Sequence, residues 1–144
     1  MTEAKISSIK SSTVERVLAG AGVLAITTGA VVVGYFNPTT TGFFPVCPFH
    51  ALTGLNCPGC GLTRAFHAFF HGDVSTALHF NALLPVYFLL ILYLLASLCL
   101  TLIRGRGLKF RLFSPRVLYG FLALTLVFSV VRNLPFYPFN LLAI

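Results

Sequence analysis

The chain has 144 residues, of which 57% are hydrophobic and 9% charged, and its mean hydropathy is +0.91. Soluble domains carry about 25% charged residues, so the composition excludes an ordinary water-soluble protein and points to apolar spans in a bilayer. The formal charge of +7 does not indicate nucleic acid. The basic residues gather at the ends of apolar runs, where positive charge sets membrane orientation, rather than along a recognition surface.

The first span is expected over about 17–36, a charge-free run of twenty residues, enough for a hydrocarbon core of ~30 Å. Its sixteen-residue polar lead is long for a signal peptide, and its apolar stretch exceeds the usual signal core. No A-x-A cleavage site follows the apolar stretch, which goes on to Asn37-Pro38, so the expectation is a retained anchor. Gly20, Gly22, Gly29 and Gly34, with Ala19, Ala21, Ala25 and Ala30, allow close approach of a partner helix or reflect ordinary span composition.

Residues 37–81 are too apolar for an open loop, with Phe43, Phe44, Val46, Phe49, Leu52, Leu55, Leu62, Phe66, Phe69, Phe70 and Phe80 among them. Irregular backbone is costly in lipid unless protein covers it or it lines a wet cavity. A compact cap or shallow re-entrant hairpin is expected, with turns at Pro45, Pro48 and Gly54. A short helix is predicted over 62–71, stopped by Gly72. Phe66, Phe69 and Phe70 form one face and Arg64, His67 and His71 the other, which makes the segment amphipathic. Asp73 reads as the N-cap of a further helix from Val74 that runs into the second span.

The second span is expected over about 82–103, kinked by Pro85, which denies Asn81 a hydrogen bond to its carbonyl. Cys99 lies deep within it and reads as an inert apolar filler. The third is expected over about 115–132, opened by Ser114-Pro115. It is short, so Arg116 and Arg132 are expected to snorkel to the interfaces. The segment Phe136-Tyr137-Pro138-Phe139-Asn140 reads as an interfacial aromatic belt.

Lys5, Lys10 and Arg16 precede the first span, and Arg104, Arg106, Lys109, Arg111 and Arg116 lie between the second and third. The region between the first two spans holds only Arg64, and the tail only Arg132. This bias predicts a cytoplasmic N-terminus and basic loop, with the cap and C-terminus exoplasmic. The basic loop can also contact anionic lipid heads. The whole reads as one all-α membrane domain of three transmembrane helices plus a short exoplasmic amphipathic or re-entrant Cys-containing cap.

The cap holds the densest polar pattern: Cys47-Pro48, Thr53-Gly54, Cys57-Pro58-Gly59-Cys60-Gly61, Thr63-Arg64-Ala65, Gly72-Asp73 and Asn81. Across about residues 43–105 this pattern resembles the signature of a large bacterial family of small membrane proteins known only as a domain of unknown function. The chain departs from it in carrying Ala82 where a proline is expected after the asparagine; Pro85 can take over the kink. The resemblance implies bacterial origin and a multi-span architecture, and no activity.

Cys57 and Cys60 form C-x-x-C, and Cys47 is a third candidate, so three disulfide pairings compete in an exoplasmic, oxidising compartment. If Cys60 lies just ahead of the helix, the positive helix end should lower its pKa. Cys57, Cys60, His67 and His71 give C-x2-C-x6-H-x3-H, a weak metal pattern: seven residues of helix separate Cys60 from His67 by roughly 10 Å, and the ligands of one tetrahedral ion must all lie within ~2.3 Å of it. His67 and His71 could instead share an ion with Cys47 or His50, or form a plain interfacial polar face. Arg64 is a candidate for binding a phosphate or carboxylate, such as a lipid head, or for pairing with Asp73, the one acid after Glu15. Asn81 is placed to reach the cysteine loop.

Paired carboxylates, G-x-S-x-G and a phosphate loop are all lacking, which argues against a hydrolase. The first functional expectation is a non-enzymatic accessory or binding subunit of the bacterial inner membrane, contacting lipids and another membrane protein through the first span and the cap. The alternatives are an exoplasmic thiol-redox or metal-handling site, and recognition of a lipid or lipid-linked anion through Arg64. No cofactor is expected apart from a possible metal ion, and nucleic acid is not an expected partner.

Overall fold

A computed structural model describes residues 13–42, 44, 46–105, 107 and 114–135. The basic residues Lys5, Lys10, Arg106, Lys109 and Arg111, the cap residues Phe43 and Pro45, and the aromatic segment 136–140 lie outside the described residues. The described residues form helices and turns with no strand. In chain order the helices are α1 (Thr13–Tyr35), α2 (Pro48–Thr53), α3 (Leu62–Phe70), α4 (Val74–Phe80), α5 (Leu84–Arg104) and α6 (Pro115–Arg132).

Three of these, α1, α5 and α6, are long and apolar enough to cross a membrane. Little of them is buried by the protein itself: Leu24, Val31, Leu89, Val127 and Val130 are all more than 60% exposed. A contiguous apolar surface of that extent is not stable in water and requires hydrocarbon around it.

α1 and α5 run antiparallel, since Gly20 lies against Leu102 and Gly22 against Leu98. A Cβ on Gly22 would stand 3.0 Å from the Leu98 side chain, whereas one on Gly29 would meet nothing within 4 Å. The small glycines of α1 are thus used within the chain at Gly20 and Gly22 and again at Gly34, where a Cβ would stand 3.6 Å from Phe70, and are open at Gly29.

The cap sits on this pair. α3 packs on α4, α1 and α5. Ala65, Ala77 and Leu84 are buried at the junction, with Leu62, Phe66, Phe69 and Phe80 around them. The alanines let α3 and α4 approach closely, and the phenylalanines supply the apolar area.

Several boundaries have local causes. Asp73 accepts a hydrogen bond from the Thr76 amide (3.0 Å) and caps α4; the Thr76 hydroxyl first, and this amide second, hold its carboxyl below the usual range. α4 does not continue into α5. Asn81 is extended, a turn follows, and α5 starts at Leu84. Pro85 therefore occupies the first turn, where its missing N–H costs nothing, and it begins the helix rather than bending it. The Asn81 carbonyl accepts from Leu84 N (3.0 Å).

α6 packs little against the other helices along its length. Tyr87 and Phe121 meet edge to face at 6.1 Å. Beside that contact, α5 and α6 diverge around an apolar cleft of about 720 Å³ that includes Leu90, Leu94, Val117 and Leu118.

The α1–α5 contact makes a paired prediction. Gly22→Val should destabilise the protein by ~1–3 kcal/mol through overpacking, seen as a lower unfolding midpoint in detergent. Gly29→Val should leave the midpoint unchanged.

Candidate functional site: a three-thiol cluster clamped by the third span

The loop between α2 and α3 is built to converge sulfur. Pro48 starts α2 and places Cys47 at its N-cap in an extended conformation. Cys57-Pro58-Gly59-Cys60 forms a tight turn in which the Cys60 amide donates to the Cys57 carbonyl (3.0 Å). The Cys57 amide donates to the Cys60 sulfur (3.3 Å). Gly61 follows with φ +76°, a left-handed conformation that costs a side-chain-bearing residue energy, and α3 begins at once.

The Sγ atoms of Cys57 and Cys60 are 3.1 Å apart, and those of Cys47 and Cys57 3.3 Å. All three lie within 4.8 Å of one another. A disulfide bond is about 2.04 Å, and two thiolates each ~2.3 Å from a tetrahedral ion are about 3.8 Å apart. The Cys57–Cys60 and Cys47–Cys57 separations are intermediate between these geometries, and a small movement of Cys57 away from the other two would admit an ion.

The three thiols are electrostatically unlike. The backbone N–H of His50, followed by the Cys57 thiol, favours the thiolate of Cys47 and brings its pKa down to about 7. Burial, aided by the Cys57 thiol, pushes Cys60 up to about 12. Cys60 does lie just ahead of α3, but desolvation outweighs any benefit from the helix end, contrary to the expectation from sequence.

The loop is clamped from two directions. Asn81 is 1% exposed. Its side-chain amide donates to the carbonyls of Pro58 (2.9 Å) and Cys60 (3.2 Å), and its Oδ1 accepts from Leu83 N (2.9 Å). Arg132 comes from the end of α6. Its Nη1 donates to the Cys60 carbonyl (2.7 Å) and, at the edge of hydrogen-bond range, to that of Cys57 (3.4 Å), and its Nη2 to that of Phe80 (2.9 Å). The guanidinium also lies 5.6 Å from the centre of the Phe128 ring.

Arg132 has no accessible surface, so it does not snorkel to an interface as expected. The carbonyls gathered above the thiol loop give it a better environment than the bilayer surface. Asn133 next to it pairs with Asn56 in both directions, accepting from its amide (2.8 Å) and donating to its carbonyl (2.9 Å). Neither Arg132 nor Asn133 was singled out from sequence as part of the site. The available signal was a charge at the end of an apolar span, which in a membrane is expected to have a partner.

His67 and His71 are placed elsewhere. Nδ1 of His67 lies 2.8 Å from the Val33 carbonyl and Nε2 of His71 3.1 Å from that of Gly34. A carbonyl only accepts, so each of these nitrogens carries the proton. The two rings close off the last carbonyls of α1, which need such partners, and stand apart from the three-cysteine group. Among the described residues the metal-competent group is Cys47, Cys57 and Cys60; the mixed set of Cys57, Cys60, His67 and His71 is not assembled. Cys99 lies in α5, away from the trio.

Arg64 lines a cavity of about 600 Å³ together with Cys47, Cys60, His50 and Thr63. Asp73 is used at the α4 cap, so the alternative Arg64–Asp73 pair is not formed. His50 contacts the Leu55 carbonyl through Nδ1 (3.2 Å), which leaves Nε2 as its acceptor nitrogen.

Two predictions follow from this geometry. Arg132→Ala strands buried carbonyls of the thiol loop and should cost about 3 kcal/mol or more, while Arg132→Lys should be intermediate; unfolding midpoints in detergent measure both. Alkylation near neutral pH, mapped by mass spectrometry, should modify Cys47 first and Cys60 last, with the Cys47 rate rising as pH increases through about 7.

Residues 47–95 match a family model described as Protein of unknown function (DUF2752). The matched stretch starts at Cys47 and takes in all three cap thiols, Arg64, Asp73, Asn81 and the first half of α5. No curated protein and no solved structure matches the chain.

Proposed function

We propose that the chain is a small, non-enzymatic membrane protein whose cap holds a thiophilic metal ion, Zn²⁺ or Cu⁺, through Cys47, Cys57 and Cys60. The observation that carries this reading is the convergence of three sulfurs. A disulfide uses two and leaves the third without a role, whereas an ion employs all three. The N–H of Cys57 directed at the Cys60 sulfur and the lowered pKa of Cys47 suit thiolate ligands, and a bound cation would have to offset the burial that pushes Cys60 up to about 12. His50 lines the adjoining cavity, and its Nε2 is available as a fourth donor. Carboxylates are absent from the described lining, which favours holding an ion over acid–base catalysis.

The charge bias of the sequence supports a cap on the exoplasmic side, and the resemblance of the cysteine pattern supports a bacterial cytoplasmic membrane. Such a protein would present or buffer a metal for another membrane component, in keeping with an accessory role.

A second reading rests on the unequal acidity of the thiols. With Cys57 and Cys60 joined, the Cys47 thiolate would attack the Cys57 sulfur, form a Cys47–Cys57 bond and release Cys60, which takes up a proton. No net electrons are exchanged in that step.

Metal analysis of full-length protein purified in detergent separates the two. The metal reading predicts about one ion per chain, lost in Cys47→Ser and Cys57→Ser, with all cap thiols alkylated after chelation without reductant. Negligible metal after reconstitution, with two of the three thiols blocked until a reductant is added, would reject it in favour of thiol exchange.

A further inference from the structure

The cavity beside the thiols contains a cation for which the described residues supply no anion. Arg64 is half-buried, and among the described residues it has no hydrogen-bond or ion-pair partner. The sequence offers three acids. Asp73 is occupied by the Thr76 amide, Glu15 lies in the first turn of α1, at the end of that helix away from the cap, and Glu3 precedes it. A partly desolvated guanidinium gains most from an oxyanion that it can grip with two N–H groups.

Exposed apolar residues neighbour the cavity-lining Val46, His50 and Asn56 in the chain. Val46 itself is 73% exposed, and Phe49, Leu52 and Leu55 on and after α2 are 46%, 86% and 48% exposed. Cation and exposed hydrocarbon side by side match an amphiphile. These residues stand above helices that require a bilayer, which puts the cavity near the headgroups.

We propose that this cavity binds the phosphate of an anionic lipid headgroup through Arg64, with acyl chains lying along Val46, Phe49, Leu52 and Leu55. The site shares its cavity with Cys47, Cys60 and His50 but binds through Arg64, which is not among the thiol group, so the proposal does not require that the trio hold an ion. A free phosphate shares the headgroup's chemistry but makes no use of the exposed apolar residues.

Native mass spectrometry of the full-length protein tests this, using micelles doped with phosphatidylglycerol, with phosphatidylcholine, or with inorganic phosphate alone. Wild type should retain phosphatidylglycerol in preference to phosphatidylcholine. Arg64→Gln should reduce that retention by about tenfold, Arg64→Lys by less, and His79→Gln, at an exposed position on α4, not at all. The alkylation order of the cap thiols serves as the fold check for each variant. Equal retention of both lipids by wild type overturns the proposal without recourse to any variant. So does undiminished phosphatidylglycerol on a correctly folded Arg64→Gln protein. Binding of inorganic phosphate with no lipid retained overturns the lipid assignment and identifies a soluble phosphate instead.

Discussion

A guanidinium without accessible surface joins the end of the third long helix to the backbone of the thiol loop. Arg132 reaches the carbonyls of Cys57 and Cys60, more than seventy residues away in sequence, and that of Phe80 at the end of α4. Burying a charge is expensive, and it persists only where the surrounding dipoles are already arranged to receive it. The carbonyls of a tight turn are such dipoles. They lie within reach of Arg132, whose N–H groups hold the turn in that arrangement. Asn81 and Asn133 complete the clamp with neutral amides.

This explains how a helix that barely touches its neighbours is held in place. The body of α6 diverges from α5 around an apolar cleft, and its fixed contacts are concentrated at its C-terminal end. In lipid there is no hydrophobic gain from packing one apolar helix on another, so polar contacts carry much of the specificity of association. The chain uses its polar groups accordingly. His67 and His71 close the end of α1, Asn81 begins the turn into α5, and Arg132 and Asn133 hold α6. The cap is therefore the structural hub on which all three long helices converge, and the thiols lie at its centre.

Much of this architecture was legible in the sequence because hydrocarbon imposes simple rules. Long charge-free runs read as helices, Asp73 reads as a cap, and Asn81 was placed beside the cysteine loop. What was not legible depends on tertiary contact. Arg132 resembles any basic residue at the end of a span, and only the carbonyls brought to it by the fold distinguish a buried clamp from a snorkelling side chain. The pairing of His67 and His71 with α1 was hidden for the same reason, since an i, i+4 histidine pair next to C-x-x-C suggests a shared ion until the direction of α3 is known. Cys47 joined the other two thiols through the path of α2, which spacing alone leaves open. Pro85 was misread because a proline near the start of an apolar run is equally compatible with a kink or with a first turn.

The central claim is that Cys47, Cys57 and Cys60 act together as ligands. X-ray absorption spectroscopy of the full-length protein reconstituted with zinc measures this directly. The account predicts a first shell containing three sulfur scatterers at ~2.3 Å. A shell made of nitrogen and oxygen, with no sulfur contribution, would contradict it.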